Sequence, residues 1–117
     1  MLYISVEDFM QKVSGLSKLS RPEEKALALK MRQGDSAARQ AIINSYLPMV
    51  AGFVRRMPES VRTLNAVYRC VASLEKGVDS FNFLQDGESF THHLSWRMRQ
   101  CLTACIVETS GGPHPQP

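Results

Sequence analysis

The chain has 117 residues, of which 44% are hydrophobic, and its formal net charge is +3. This length favours a single domain with its own core, and the hydrophobic fraction is too high for a disordered chain. No apolar run approaches the roughly 18 residues needed to cross a membrane, and the N-terminus lacks the apolar core of a signal peptide. The composition therefore predicts a cytoplasmic protein without a membrane segment.

Positive charge is concentrated in two stretches that contain few acidic residues. Four arginines and a single glutamate lie between residues 51 and 73. The stretch from residue 89 to 107 contains two arginines and two histidines but no acidic residue. Solvated helix faces commonly show such a bias, yet two of these stretches in one small domain favour an anionic partner such as nucleic acid.

Helix-start signals and apolar residues at helical spacing predict an all-α bundle of about five helices. Ser5 and Ser20 are predicted N-caps, with Glu23 completing a capping box after Ser20, and Gly34 is a predicted C-terminal stop. The predicted helices cover residues 5–14, 22–33, 36–57, 63–81 and 89–108. Residues 1–109 are expected to form the helical domain, and residues 110–117, rich in glycine and proline, a disordered tail,.

Pro48 lies inside the third predicted helix. An interior proline has no amide hydrogen to donate and costs about 3 kcal/mol. The sequence therefore predicts either a kink near Pro48 or two shorter helices.

The last two predicted helices each carry an apolar stripe. In the fourth helix, apolar residues recur three and four positions apart, at Leu64, Val67, Val71, Leu74, Val78 and Phe81,. In the fifth helix the stripe consists of Phe90, Leu94, Met98, Cys101, Leu102 and Cys105. The three cysteines of the chain are odd in number and lack a metal-binding spacing, so they are predicted to be reduced core residues,.

The opposite side of the fifth predicted helix has an unusual composition, with polar and aromatic residues brought together by their spacing at His92, Trp96, Arg99, Gln100 and Thr103,. Trp96 is the only tryptophan of the chain, and a tryptophan usually lies where its large area is buried,. Either Trp96 packs against a neighbouring part of the protein, or its ring stacks nucleic-acid bases beside side chains that reach phosphates and base edges.

The sequence contains no recognisable catalytic constellation: it has no glycine-rich phosphate loop, no nucleophile motif and no zinc-protease motif. His92 and His93 are adjacent, and adjacent residues on a helix point about 100° apart, so the two imidazoles cannot chelate one ion together. The sequence therefore predicts a binding protein and not an enzyme, with no cofactor and no metal.

Several runs of residues resemble, in order, bacterial RNA polymerase sigma factors of the sigma-70 family. The N-terminal runs are residues 19–35 (LSRPEEKALALKMRQGD), Ala38-Arg39 and residues 43–47 (INSYL). The C-terminal runs, which resemble the second conserved region of that family, are residues 78–81 (VDSF), 89–91 (SFT) and 96–100 (WRMRQ). The resemblance covers residues 8–107, with spacings similar to those of the family.

The resemblance implies an all-α bundle that binds the clamp coiled coil of RNA polymerase and captures flipped bases of the −10 promoter element. The implied DNA is the single-stranded non-template strand. Together with His92 on the face described above, the positions assigned to DNA contacts are Phe81, Phe90, His92, His93, Trp96, Arg97, Arg99, Gln100 and Thr103. The positions assigned to polymerase contacts are Asn65, Tyr68 and Arg69.

The chain also departs from the family pattern. Arg97 replaces the second tryptophan of a pair, and His93 replaces the tyrosine that stacks a flipped adenine. Tyr68 and Arg69 replace acidic and amide residues that bind the polymerase, so the resemblance implies weak binding to the polymerase core. No second DNA-binding domain is expected, so recognition of the −35 element is not expected either. The alternative interpretation is a degenerate sigma-like bundle that serves as a protein-interaction or regulatory module without DNA binding.

Overall fold

The computed structural model describes residues 2–109, which form five α-helices and no β-strand. The helices are α1 (Val6–Val13), α2 (Arg21–Arg32), α3 (Ser36–Arg55), α4 (Leu64–Ser80) and α5 (Phe90–Thr109). The prediction of an all-α bundle of five helices is therefore confirmed. Residues 110–117, for which the sequence predicts a disordered tail, lie outside the described range.

Local side-chain signals begin the helices at the predicted positions. Ser5 Oγ accepts a hydrogen bond from the Asp8 amide at 3.0 Å, and Ser20 and Glu23 form a complete capping box. Gly34 has a φ of 92°, and its amide and that of Asp35 bond back to carbonyls in the last turn of α2. This is the Schellman arrangement, which stops α2 and lets Asp35 cap α3 at once,.

Helix α3 is the centre of the bundle and contacts each of the other four helices. It continues as one helix through Pro48, so the predicted alternative of two shorter helices is wrong. Ile42 and Val50, on either side of the proline, are completely buried. Packing on both sides offsets the cost of the missing amide, because most helix stability in proteins comes from tertiary contacts.

The core joins all five helices, with completely buried side chains that include Phe9, Ile42, Leu74, Phe90 and Leu94. Two polar contacts hold helices to α3: the Tyr46 hydroxyl donates to the buried Glu24 carboxylate on α2, and Arg39 pairs with Asp79 on α4. Among residues 2–109, every buried side-chain nitrogen and oxygen has a hydrogen-bond partner. No helix in this part of the chain is long and apolar enough to cross a membrane.

Candidate nucleic-acid interface

One side of α5 is packed on the bundle, and the other side is open to solvent. The packed side is the predicted stripe, in which Phe90, Leu94, Met98, Cys101 and Cys105 are buried. On the open side, an open depression of about 510 Å³ is lined by Trp96, Arg99, Gln100, Thr103 and Ala104, which we call the Trp96 face.

Trp96 is 55% exposed although it is the largest apolar ring in the chain. The interpretation in which Trp96 packs against a neighbouring helix is therefore wrong within residues 2–109. Arg99 forms no ion pair with any residue in the same range. Thr103 Oγ1 donates to the Arg99 carbonyl at 3.0 Å, which leaves the oxygen free to accept a further hydrogen bond,. The Trp96 face thus combines an exposed ring, an unpaired cation and polar groups.

His92 lies one turn before Trp96 and is also exposed. Its Nε2 lies 3.7 Å from a Glu88 carboxylate oxygen, so the beginning of the helix carries an acidic neighbour that the rest of this face lacks. No group of residues suited to bind a metal ion is present between residues 2 and 109.

Arg97 and His93 point toward α4 and away from the Trp96 face. Arg97 Nε donates to His93 Nε2 at 3.2 Å, and its Nη1 donates to the Ser73 carbonyl at 3.4 Å. The Arg97 side chain crosses α4 at Gly77, where an added Cβ would lie 3.0 Å from Arg97 Cδ. Both side chains, which the family resemblance assigns to DNA contacts, are thus engaged in joining α5 to α4.

Phe90 belongs to the core and has no exposed surface. Its ring lies 4.7 Å from that of Tyr46 and 5.2 Å from that of Phe81, measured between centroids. The prediction that Phe90 contacts DNA is therefore wrong for this conformation, because neighbouring aromatic rings cover it. Phe81, at the end of α4, is half-buried and packs edge-on against Phe83.

The three predicted polymerase-binding residues differ in how they are presented. Asn65 is exposed. The Tyr68 hydroxyl accepts a hydrogen bond from the Tyr3 amide at 2.7 Å and donates to the Tyr3 carbonyl at 2.9 Å. Arg69 forms an ion pair with Glu108 of α5. Tyr68 and Arg69, which the family resemblance assigns to the outward side of the helix, are thus half-buried and bind other parts of the same molecule.

A further cationic cluster lies between α3 and α4 and was not assigned a role from the sequence. Arg62 Nη1 donates to the Arg55 carbonyl at 3.1 Å, and the Arg56 guanidinium lies 4.9 Å from the Phe53 ring centroid. Arg55 and Arg62 also border a groove of about 440 Å³ beside α1. The many arginines between residues 51 and 73 were the sequence feature that could have indicated this cluster. That Arg55 and Arg62 lie at the same groove depends on how α1 packs.

These features define a class of protein: a helical bundle with an exposed aromatic and cationic face on its last helix. No family model matches the chain. The chain is 26% identical over 110 residues to the RNA polymerase sigma factor SigA of Clostridium acetobutylicum. The matched region covers 90% of this chain but 29% of that relative, so the chain spans less than a third of its length. The chain is thus similar to part of a sigma factor.

Proposed function

We propose that this chain is a cytoplasmic, sigma-factor-like protein of transcription initiation that binds the single-stranded non-template strand of a −10-type promoter element. The observation that carries the proposal is the exposure of Trp96 beside Arg99 and Gln100. The similarity to SigA and the all-helical fold support the same proposal. The proposed role is one of binding and not of catalysis.

The chemistry of the Trp96 face suits a single strand. Every base has a flat surface that can stack on an indole ring, and such stacking is worth about 1–3 kcal/mol per base. Arg99 can neutralise a phosphate, while Gln100 can both donate to and accept from a base edge. Stacking removes the Trp96 ring from water, which offsets part of the cost of ordering the strand.

The test is binding of a fluorescent −10-like single strand to the full chain. Trp96→Ala should weaken binding by about 5- to 150-fold, which corresponds to the loss of one stacking platform. Because Trp96 is the only tryptophan, its own fluorescence should also be quenched when the strand binds. Leu29→Ala is the matched control, since Leu29 is 52% exposed on α2 and should be silent.

The second arm of the test concerns charge. Arg99→Ala should weaken binding and lower the dependence of log affinity on log salt by about 0.7 units, as expected for one phosphate contact on a single strand. Lys30→Ala removes an exposed cation from α2 and should leave this slope unchanged. Parental affinity in both Trp96→Ala and Arg99→Ala would contradict the proposed site.

A second candidate function is a protein-interaction module without DNA binding. It is favoured by the side chains of Arg97 and His93, which bind within the bundle. In that case the protein would show no affinity for single strands of any sequence, and Trp96 fluorescence would not respond to them.

A further inference from the structure

All three cysteines of the chain lie together where α4 packs against α5. Cys70 of α4 is completely buried, and Cys101 and Cys105 lie one turn apart on the inner side of α5. The three thiols are free, as the sequence predicts. The Sγ atoms of Cys70 and Cys101, which are 31 positions apart, lie within hydrogen-bond distance at 2.9 Å.

We propose that Cys70 and Cys101 are a redox modification site, at which a hydroperoxide forms a reversible disulfide that cross-links α4 to α5. A disulfide bond is about 2.05 Å long, so the two sulfur atoms at 2.9 Å need to approach by only about 0.9 Å,. The cysteines lie on the inner side of α5, opposite the Trp96 face, so the proposed disulfide is independent of the proposed DNA binding.

Cys101 is the better nucleophile of the pair. A hydrogen bond from Cys70 lowers the pKa of Cys101, and Cys105 and the Arg69 guanidinium act in the same direction against the effect of burial. The hydrogen bond to Cys101 and burial raise the pKa of Cys70. Cys101 also keeps 9% of its surface exposed, whereas Cys70 is completely buried. Since the thiolate is the reactive form and needs access to the oxidant, Cys101 attacks first and Cys70 resolves the product.

The chemistry balances with hydrogen peroxide as the oxidant. The Cys101 thiolate attacks one peroxide oxygen, the O–O bond breaks, and the leaving hydroxide takes up a proton as water. Cys70 sulfur then attacks the Cys101 sulfenic acid, the S–O bond breaks, and a second water leaves after the Cys70 proton is transferred. Two thiols and one peroxide thus give one disulfide and two waters, and a dithiol reductant reverses the change.

A small surface pocket reaches one of the three thiols, that of Cys105, which lies one turn from Cys101. The pocket has a volume of about 20 Å³ and reaches Cys105 past the Arg69–Glu108 ion pair. That volume admits a water-sized molecule, and hydrogen peroxide is only one oxygen atom larger. Bulky aromatic disulfide reagents should therefore react much more slowly than peroxide. In a reducing compartment, disulfide bonds are usually transient and serve to sense oxidants. A reversible disulfide between Cys70 and Cys101 fits that role.

The experiment treats the full, reduced chain with a small excess of hydrogen peroxide and measures intact mass and peptide masses. The expected product is a monomer lighter by two hydrogens, with the peptide containing Cys70 joined to the peptide containing Cys101. Dithiothreitol should restore the parental mass. The oxidised form should melt at a temperature higher by about 10 °C, because the cross-link constrains the unfolded chain.

Three variants make the assignment specific. Cys105→Ser should retain the cross-link, whereas Cys70→Ser and Cys101→Ser should lose it. If either of the latter fails to fold, the linked peptide of Cys105→Ser still identifies the pair. A product linked through Cys105, a cross-linked dimer, a stable sulfinic acid or thiols that remain fully alkylatable would each overturn the proposal.

Discussion

Arg39 and Asp79 show how a single ion pair can be examined by pH. Arg39 Nε lies 2.6 Å from Asp79 Oδ1, and Arg39 Nη2 lies 2.9 Å from Oδ2, so the contact is bidentate. Hydrogen bonding from Arg39 lowers the pKa of Asp79 below its ordinary value of 3.8. Because the folded state has the lower pKa, the pair contributes stability above the unfolded value and loses it as the pH falls through the folded value.

We therefore expect Asp79→Asn to lower the free energy of unfolding at neutral pH by less than about 1 kcal/mol, as is usual for pairs near the surface. The difference from the parent should shrink as the pH falls below the ordinary value of 3.8. Urea unfolding at a series of pH values measures it. Asp86→Asn is the control. The Asp86 side chain is fully exposed, and its carboxylate lies 3.6 Å from Lys25 Nζ, so this substitution should change the free energy of unfolding very little. An Asp79→Asn difference that grows in acid would refute this assignment.

The contact between α4 and α5 depends on one small residue. At Gly77, an added Cβ would lie 3.0 Å from Arg97 Cδ, 3.1 Å from Arg97 Nε and 3.4 Å from the Phe90 ring. The absence of a side chain lets Arg97 lie across α4 and reach Ser73 and His93. A glycine at position 77 thus lowers the helix propensity of α4, but it leaves room for Arg97 to join the two helices.

Gly77→Leu should destabilise the protein by about 1–3 kcal/mol, the usual effect of an oversized side chain in a packed contact. Gly77→Ala should have a smaller effect, because a gain in helix propensity of up to about 1 kcal/mol opposes the tight contact. Chemical denaturation measures both variants. Ala72→Leu, at an exposed position of the same helix, should be nearly neutral. If Gly77→Leu is as stable as the parent, Arg97 moves aside freely and does not join the helices.

The surface to which the family resemblance assigns polymerase contacts depends on how the whole bundle is assembled. On α4, two of the residues assigned to polymerase contacts are bound by residues from distant parts of the chain, Tyr68 by Tyr3 and Arg69 by Glu108. Tyr68 is held by the N-terminal segment, and the charge of Arg69 is balanced within the molecule. The acidic and amide groups that the family resemblance implies for the polymerase contact are absent at both positions.

We expect this protein to compete weakly with an ordinary sigma factor for core polymerase in a pull-down, because charge complementarity at such an interface is lost. Arg69→Glu alone would put two carboxylates side by side at Glu108. The exchange Arg69→Glu with Glu108→Arg keeps the pair and the net charge while restoring an acidic group on α4. This double variant should compete better than the parent. Equal competition by the parent and an ordinary sigma factor would contradict the assignment.

Much of the architecture could be predicted from local patterns. The caps at Ser5, Ser20 and Asp35 act over three or four residues, so the residue types at those positions are enough to begin a helix,. The stripe on α5 and the opposite placement of Trp96 follow from the 3.6-residue period alone. These features depend on neighbours within one helix, and the pattern therefore carried the necessary information.

Other features arise from the distances between helices, which no local pattern specifies. Pro48 stays within one helix because buried side chains on both sides of it pack α3 into the bundle,. Arg97 turns from the expected DNA face because Gly77 leaves room on α4. Cys70 meets Cys101, and Tyr68 meets Tyr3, only after chain segments 31 and 65 residues apart have packed. A side chain's partner is set by the relative placement of helices, since packing distances of a few ångströms separate a contact from open solvent.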